Sequence, residues 1–263
     1  MKKSFLPLLS VIVLFLLVSS FTATDKLPPQ EYYQLTIYHL KTAEQLATTN
    51  AYLKNSYLPE LHKTGLKNIG VFNSIDNDTA IDKKIVVLIP FASMQQFEGF
   101  KNNLSIIKLA NTGEAAYTTA AFNNAPFERM ETVLLKGFKK MPQLKKPALT
   151  APATDRIYEL RSYESATEKI YSKKVSMFNE GGEVDLFNQL NFNAVFYGEV
   201  LVGSHMPNLM YMTTFNNKAD HDAHWKSFVS DTTWKRLSTM PEYLNTVSKA
   251  DIYLLRPADY SDF

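Results

Sequence analysis

The chain has 263 residues, 45% of them hydrophobic and 21% charged, with a formal net charge of +2 and no cysteine. These are ordinary values for a folded body that buries a large core without staples. They exclude a disulfide, a thiolate nucleophile and a cysteine-held metal or Fe–S centre, and they leave no cationic surplus for nucleic-acid binding.

The first segment, residues 1–23, reads as a secretory signal. Met1-Lys2-Lys3 is a basic start, Ser4 to Phe21 is almost wholly apolar, and small residues follow, with Ser20 or Ala23 ending the segment. An uncleaved anchor is the competing reading, since the apolar run approaches spanning length. Cleavage would also remove Lys2 and Lys3 and bring the formal charge from +2 to 0. The expected location is secreted or periplasmic, with no lipid-anchor cysteine and no membrane span once the signal is cut.

In the first half, residues 24–138, alternation predicts a strand at Tyr32–His39 and apolar spacing predicts a helix at Thr42–Lys63, with Leu46, Leu53, Tyr57 and Leu61 on one side. Strands follow at Leu66–Ser74 and Lys83–Pro90, a helix at Met94–Ile107, and a closing strand at Met130–Phe138. Residues 139–155 hold Pro142, Pro147, Pro152 and four lysines, a composition that prevents regular structure and reads as a semi-extended linker. The second half, residues 156–263, repeats the order: Arg156–Tyr163, Glu168–Asn179, Phe192–Val200, Asn208–Phe215, Lys218–Val229 and Thr246–Arg256, with an extra helix at Trp234–Met240 capped by Asp231.

The halves also match residue by residue. Tyr33-Gln34-Leu35-Thr36-Ile37-Tyr38 parallels Tyr158-Glu159-Leu160-Arg161-Ser162-Tyr163 as Y-x-L-x-x-Y, and the capping boxes Thr42–Gln45 and Ser165–Glu168 follow. Val71-Phe72, Phe100-Lys101 and Leu134-Leu135-Lys136 reappear as Val195-Phe196, Trp225-Lys226 and Leu254-Leu255-Arg256. The expected fold class is therefore α+β: two tandem ferredoxin-like βαββαβ halves, each with one sheet face uncovered by its own helices. Facing those surfaces together makes an intrachain barrel, and the expected solution state is a monomer with an internal pseudo-dimer.

Tyr158-Glu159-Leu160-Arg161-Ser162-Tyr163, Gly181-Gly182, Phe196-Tyr197-Gly198-Glu199, His224-Trp225-Lys226, Asp231-Thr232-Thr233-Trp234-Lys235 and the closing Leu254-Leu255-Arg256-Pro257 together resemble the NIPSNAP family over about the last 105 residues. The first half is a degenerate copy, with Gln34 and Thr36 in place of Glu159 and Arg161. The resemblance implies a dimeric α+β barrel, here completed within one chain, and it brings no agreed catalytic mechanism.

Glu159, Arg161 and Tyr163 share one face of their strand. With Leu160 turned to the helices, they would face the barrel interior as a catalytic or ligand-orienting group; a structural ion pair is the plainer reading. His221, His224, Trp225 and Phe228 fall on one helical stripe, readable as a metal- or haem-binding pair or as core with histidines at its edge. Tyr158, His205, His224 and Trp225 are the candidate ligand contacts, His205 on a loop tip that reaches the barrel mouth or only solvent. No metal and no cofactor are expected, and there is no Gly-rich phosphate loop, G-x-S-x-G or H-E-x-x-H. The function expected is binding of a small apolar or aromatic molecule, or an accessory role. The alternative is a cofactor-independent oxygenase or isomerase working in the barrel interior.

Overall fold

The computed structural model describes residues 28–110 and 114–263, the side chains of 103–110 excepted, so the expected signal segment lies outside the described residues. The first half runs β1 (Tyr32–Leu40), α1 (Ala43–Tyr52), a π-helical turn (Leu53–Tyr57), α2 (Leu58–Lys63), β2 (Gly70–Ser74), β3 (Lys83–Phe91), α3 (Met94–Ala110), α4 (Ala115–Thr118) and β4 (Arg129–Gly137). The second runs β5 (Ile157–Glu164), α5 (Glu168–Asn179), α6 (Glu183–Gln189), β6 (Phe196–Val202), β7 (Asn208–Phe215), α7 (Lys218–Ser230), α8 (Thr232–Thr239) and β8 (Lys249–Pro257). The short helices α4 and α6 were not expected from the sequence. Among the described residues no helix is long and apolar enough to cross a membrane.

Helix starts follow their caps. The Thr42 hydroxyl accepts from the Gln45 N–H while Gln45 reaches back to the Thr42 N–H, the reciprocal box expected from the sequence. At α5 the cap is Thr167, which accepts from Ile170 N–H, and not Ser165 as the capping-box spacing predicts. Ser165 is drawn away because its hydroxyl donates to the Thr246 carbonyl, a tertiary contact that local spacing does not encode. Asp231 caps α8 through the N–H groups of Thr233 and Trp234.

The eight strands close into an antiparallel barrel in the order β1-β3-β2-β8-β5-β7-β6-β4, with β4 returning to β1. Two seams join the halves. One pairs Phe72 to Ser74 of β2 with Pro257 to Leu255 of β8; the other pairs Leu134 to Gly137 of β4 with Val202 to Gly198 of β6 across a bulge. The C-terminal tail continues the first seam: Ala258 N–H donates to Val71 O, and the Asp262 carboxylate accepts from Ile69 N–H. Residues 139–155 form no regular element but are held down, with Glu31 N–H donating to Pro142 O and Lys145 N–H to Val195 O. Leu144 and Leu149 pack on the barrel core.

Strands of such a barrel are covered on both faces. Along β3, Val86 and Leu88 turn into the barrel while Ile85, Val87 and Ile89 turn to the helices, hence its unbroken apolar run. The interior is filled by side chains from both halves, among them Tyr33, Leu35, Tyr158, Leu160, Phe196 and Leu255, all fully buried. Helices cover the outer face of each half and enclose two further cores.

Candidate functional site

The β5 side chains alternate in the opposite sense to that expected. Tyr158 and Leu160 enter the packed barrel interior, while Glu159, Arg161 and Tyr163 lie on the outer face beneath helices of the second half. The expected interior site is corrected accordingly. Both faces of β5 are buried, so alternation alone did not say which face looked inward, and the larger apolar demand of the interior took Leu160. Tyr158 is buried in the barrel interior and packed against Phe72 and Phe263.

On the outer face, Glu159 is the centre of a closed network. Its Oε1 accepts from Arg161 Nε at 2.7 Å, and its Oε2 faces His221 Nε2 at 3.0 Å and takes the Trp225 indole N–H. The other ring nitrogen of His221, Nδ1, lies 2.8 Å from Asp222 Oδ1, so both imidazole nitrogens face carboxylates, the arrangement an imidazolium satisfies. Burial alone would raise the Glu159 carboxyl; the His221 hydrogen bond and the Arg161 charge outweigh it and hold it below the ordinary value. Burial opposes the charge on His221 too, but its bonds to Glu159 and Asp222 raise the imidazole above its usual value.

The Arg161 guanidinium lies over the Trp225 ring, 3.7 Å from its centroid, and donates to the Tyr163 hydroxyl at 2.9 Å. That hydroxyl in turn lies 2.9 Å from Tyr211 Oη. Beside this network a cavity of about 480 Å³ opens between sheet and helices. Its aromatic walls include Phe187, Tyr211, Trp225, Phe228 and Trp234, and Arg161 forms one polar side. The other polar side is Lys174, whose Nζ is 2.9 Å from Glu183 Oε2, both groups buried. Burial raises the Glu183 carboxyl, although Lys174 pulls the other way.

Glu183 and Lys174 were missed by sequence reasoning. Lys174 sits beside Lys173 and looks like a solvated helix face; Glu183 follows Gly181-Gly182, and that doublet was the available signal. Gly182 has φ of 96°, which favours glycine, and a Cβ on Gly181 would meet the Met177 carbonyl at 2.6 Å. The doublet thus turns the chain sharply enough to bring Glu183 back onto α5.

The remaining candidates separate. His224 bonds to the Asp220 carbonyl and stays half-buried, away from the Glu159 network that holds His221. The two histidines therefore share no site, and among the described residues no three His, Asp or Glu side chains are placed to hold a metal ion. His205 lies 3.2 Å from Glu164 and lines a cavity of only about 20 Å³ at one end of the barrel interior.

A comparison with curated proteins returns no match. Among solved structures, a candidate monooxygenase of Fusobacterium nucleatum aligns with a TM-score of 0.57 at 7% identity, covering 87% of this chain and 93% of its own. A candidate monooxygenase of Lactobacillus acidophilus gives 0.53 at 12%, covering 87% and 94%, and an anthrone oxidase-like protein gives 0.53 at 9%, covering 87% and 92%. At such identities the likeness concerns the fold alone, a mixed α+β architecture around an eight-stranded barrel. Residues 158–262 match the NIPSNAP family profile, and this span holds the Glu159 network, the Gly181-Gly182 turn and both tryptophans of the cavity; this segment of the chain carries a NIPSNAP domain.

Proposed function

We propose that the chain is an exported protein of two ferredoxin-like halves, residues 24–138 and 156–263, that binds a small aromatic molecule in its NIPSNAP domain and has no catalysis of its own. The strand orders β4-β1-β3-β2 and β8-β5-β7-β6 are the same cyclic pattern and support the duplication. The basic start and apolar run of residues 1–23 support export.

The observation that carries the binding reading is the combination of aromatic walls with fully engaged ionic groups. Glu159 is committed to Arg161, His221 and Trp225, so it is no free general base. Burial keeps the Tyr211 phenol protonated. Lys174 faces a carboxyl whose ionisation burial opposes, which tilts the cavity towards a ligand with an anionic group. The second reading is a cofactor-independent oxygenase or isomerase in this cavity. It draws on the monooxygenase descriptions of the fold neighbours and on the Arg161–Tyr163–Tyr211 hydroxyl chain.

The two tryptophans of the chain, Trp225 and Trp234, both line this cavity, so their emission reports on it. Titration with naphthalene-2-sulfonate is expected to change tryptophan emission saturably. Ala250→Phe, at the exposed rim, should weaken that binding about tenfold. An emission that stays flat, or binding indifferent to Ala250→Phe, would reject the site. Oxygen uptake with a bound arene and no added cofactor would favour the second reading.

A further inference from the structure

The duplication puts a second set of side chains at the equivalent place in the first half. Gln34, Thr36 and Tyr38 occupy on β1 the places of Glu159, Arg161 and Tyr163 on β5, and they too lie on the helix-covered face. Where the second half has a carboxylate and a guanidinium, the first has an amide and a hydroxyl. Above them lies a separate cavity of about 420 Å³.

Its walls are phenols brought together by an irregular helix. Tyr52 and Tyr57 are five residues apart, about 140° around a regular α-helix. The π-helical turn at Leu53–Tyr57 takes up an extra residue and narrows that angle, and the two rings come to 5.7 Å between centroids on the same side. Tyr117 of α4 stacks on Tyr52 at 3.7 Å, nearly parallel, and its hydroxyl donates to Tyr38 Oη at 3.4 Å. Burial pushes the Tyr52 phenol up to about 12 and that of Tyr38 higher still, so these walls are uncharged at neutral pH. Of the described lining residues only Lys101, exposed at the rim, carries a charge.

At the floor, Gln34 is 5% exposed. Its Nε2 donates to Thr36 Oγ1 at 3.4 Å, and that hydroxyl pairs with Thr132 Oγ1 at 3.2 Å. Gln34 Oε1 is buried and has no hydrogen-bond partner among the described residues. A buried acceptor left unpaired is costly, and the side chain that carries this one is part of the lining of an aromatic cavity. We propose that this cavity is a second binding site for an uncharged hydroxylated aromatic of roughly two or three fused rings, whose hydroxyl donates to Gln34 Oε1. The rings lie among the phenols of Tyr52, Tyr57 and Tyr117, and the hydroxyl supplies the missing donor. The two halves then select by charge: an anionic arene in the second, a neutral one in the first.

The test is calorimetric titration of the full chain with 2-naphthol and with 2-methoxynaphthalene, which keeps the rings and loses the donor. The alcohol should bind about tenfold more tightly than the ether, without changing tryptophan emission. Gln34→Leu should abolish that difference while leaving affinity for the ether unchanged. Ala121→Phe, on an exposed loop at the cavity mouth, should weaken 2-naphthol about tenfold and serves if Gln34→Leu does not fold. Equal affinity for alcohol and ether, a difference that survives Gln34→Leu, no binding heat, or indifference to Ala121→Phe would each overturn the proposal. A response of the tryptophans would place the alcohol in the other cavity and overturn it as well.

Discussion

Glu159 shows how one buried carboxylate organises a domain. Three donors on two elements converge on it, so its loss strands Arg161 and His221 in a poorly solvated place. Glu159→Gln is expected to lower unfolding free energy by about 3 kcal/mol in urea denaturation near neutral pH. The pH dependence follows from the two shifts. Glu159 is lowered from 4.5, so its contribution is complete above that value and is lost as pH falls through the lower folded one. His221 is raised from 6.5, so its contribution is complete below that value and is lost as pH rises through the higher folded one. The difference between wild type and Glu159→Gln should therefore be greatest between 4.5 and 6.5 and shrink on both sides. A difference that grows steadily to alkaline pH would remove His221 from the network. The Glu–Arg pairing two apart on a strand was legible in the sequence. Its third and fourth members were not, because His221 and Trp225 reach it from a helix some sixty residues away.

Between elements, the buried Lys174–Glu183 pair fastens α5 to α6. Such pairs cost much when broken and little when replaced whole. Lys174→Met should destabilise by about 3 kcal/mol, whereas Lys174→Met with Glu183→Met should return to within about 1 kcal/mol of wild type. Equal losses in the single and double variants would mean that the pair does not act as a unit. The helices that carry these groups differ in how far they could be foreseen. The start of α8 was readable because Asp231 is a local cap. Helix α6, at seven residues, is too short for its periodicity to stand out, and its start depends on the left-handed Gly182. The π-helical turn was invisible for a similar reason. Leu46, Leu53, Tyr57 and Leu61 are all at least partly buried, but the extra residue in that turn changes which neighbours share a side.

Among the described residues the barrel leaves no strand with a free edge, since each of its eight strands pairs on both sides. Its two seams join the halves within one chain, and the C-terminal tail of the second half pairs along β2 of the first. The expected result is a monomer by sedimentation, unfolding in a single transition whose midpoint does not move with protein concentration. A midpoint that rises with concentration would show that the halves pair between chains.

The order of the strands and of the longer helices is written locally, in alternation and caps. It could be read along the chain because each signal depends on neighbours a few residues apart. Which face of each strand entered the barrel was settled only on closure, when sixteen apolar side chains from both halves competed for one interior and the polar alternates were left under the helices. That competition is non-local, and it moved the candidate chemistry from the barrel to its outer face.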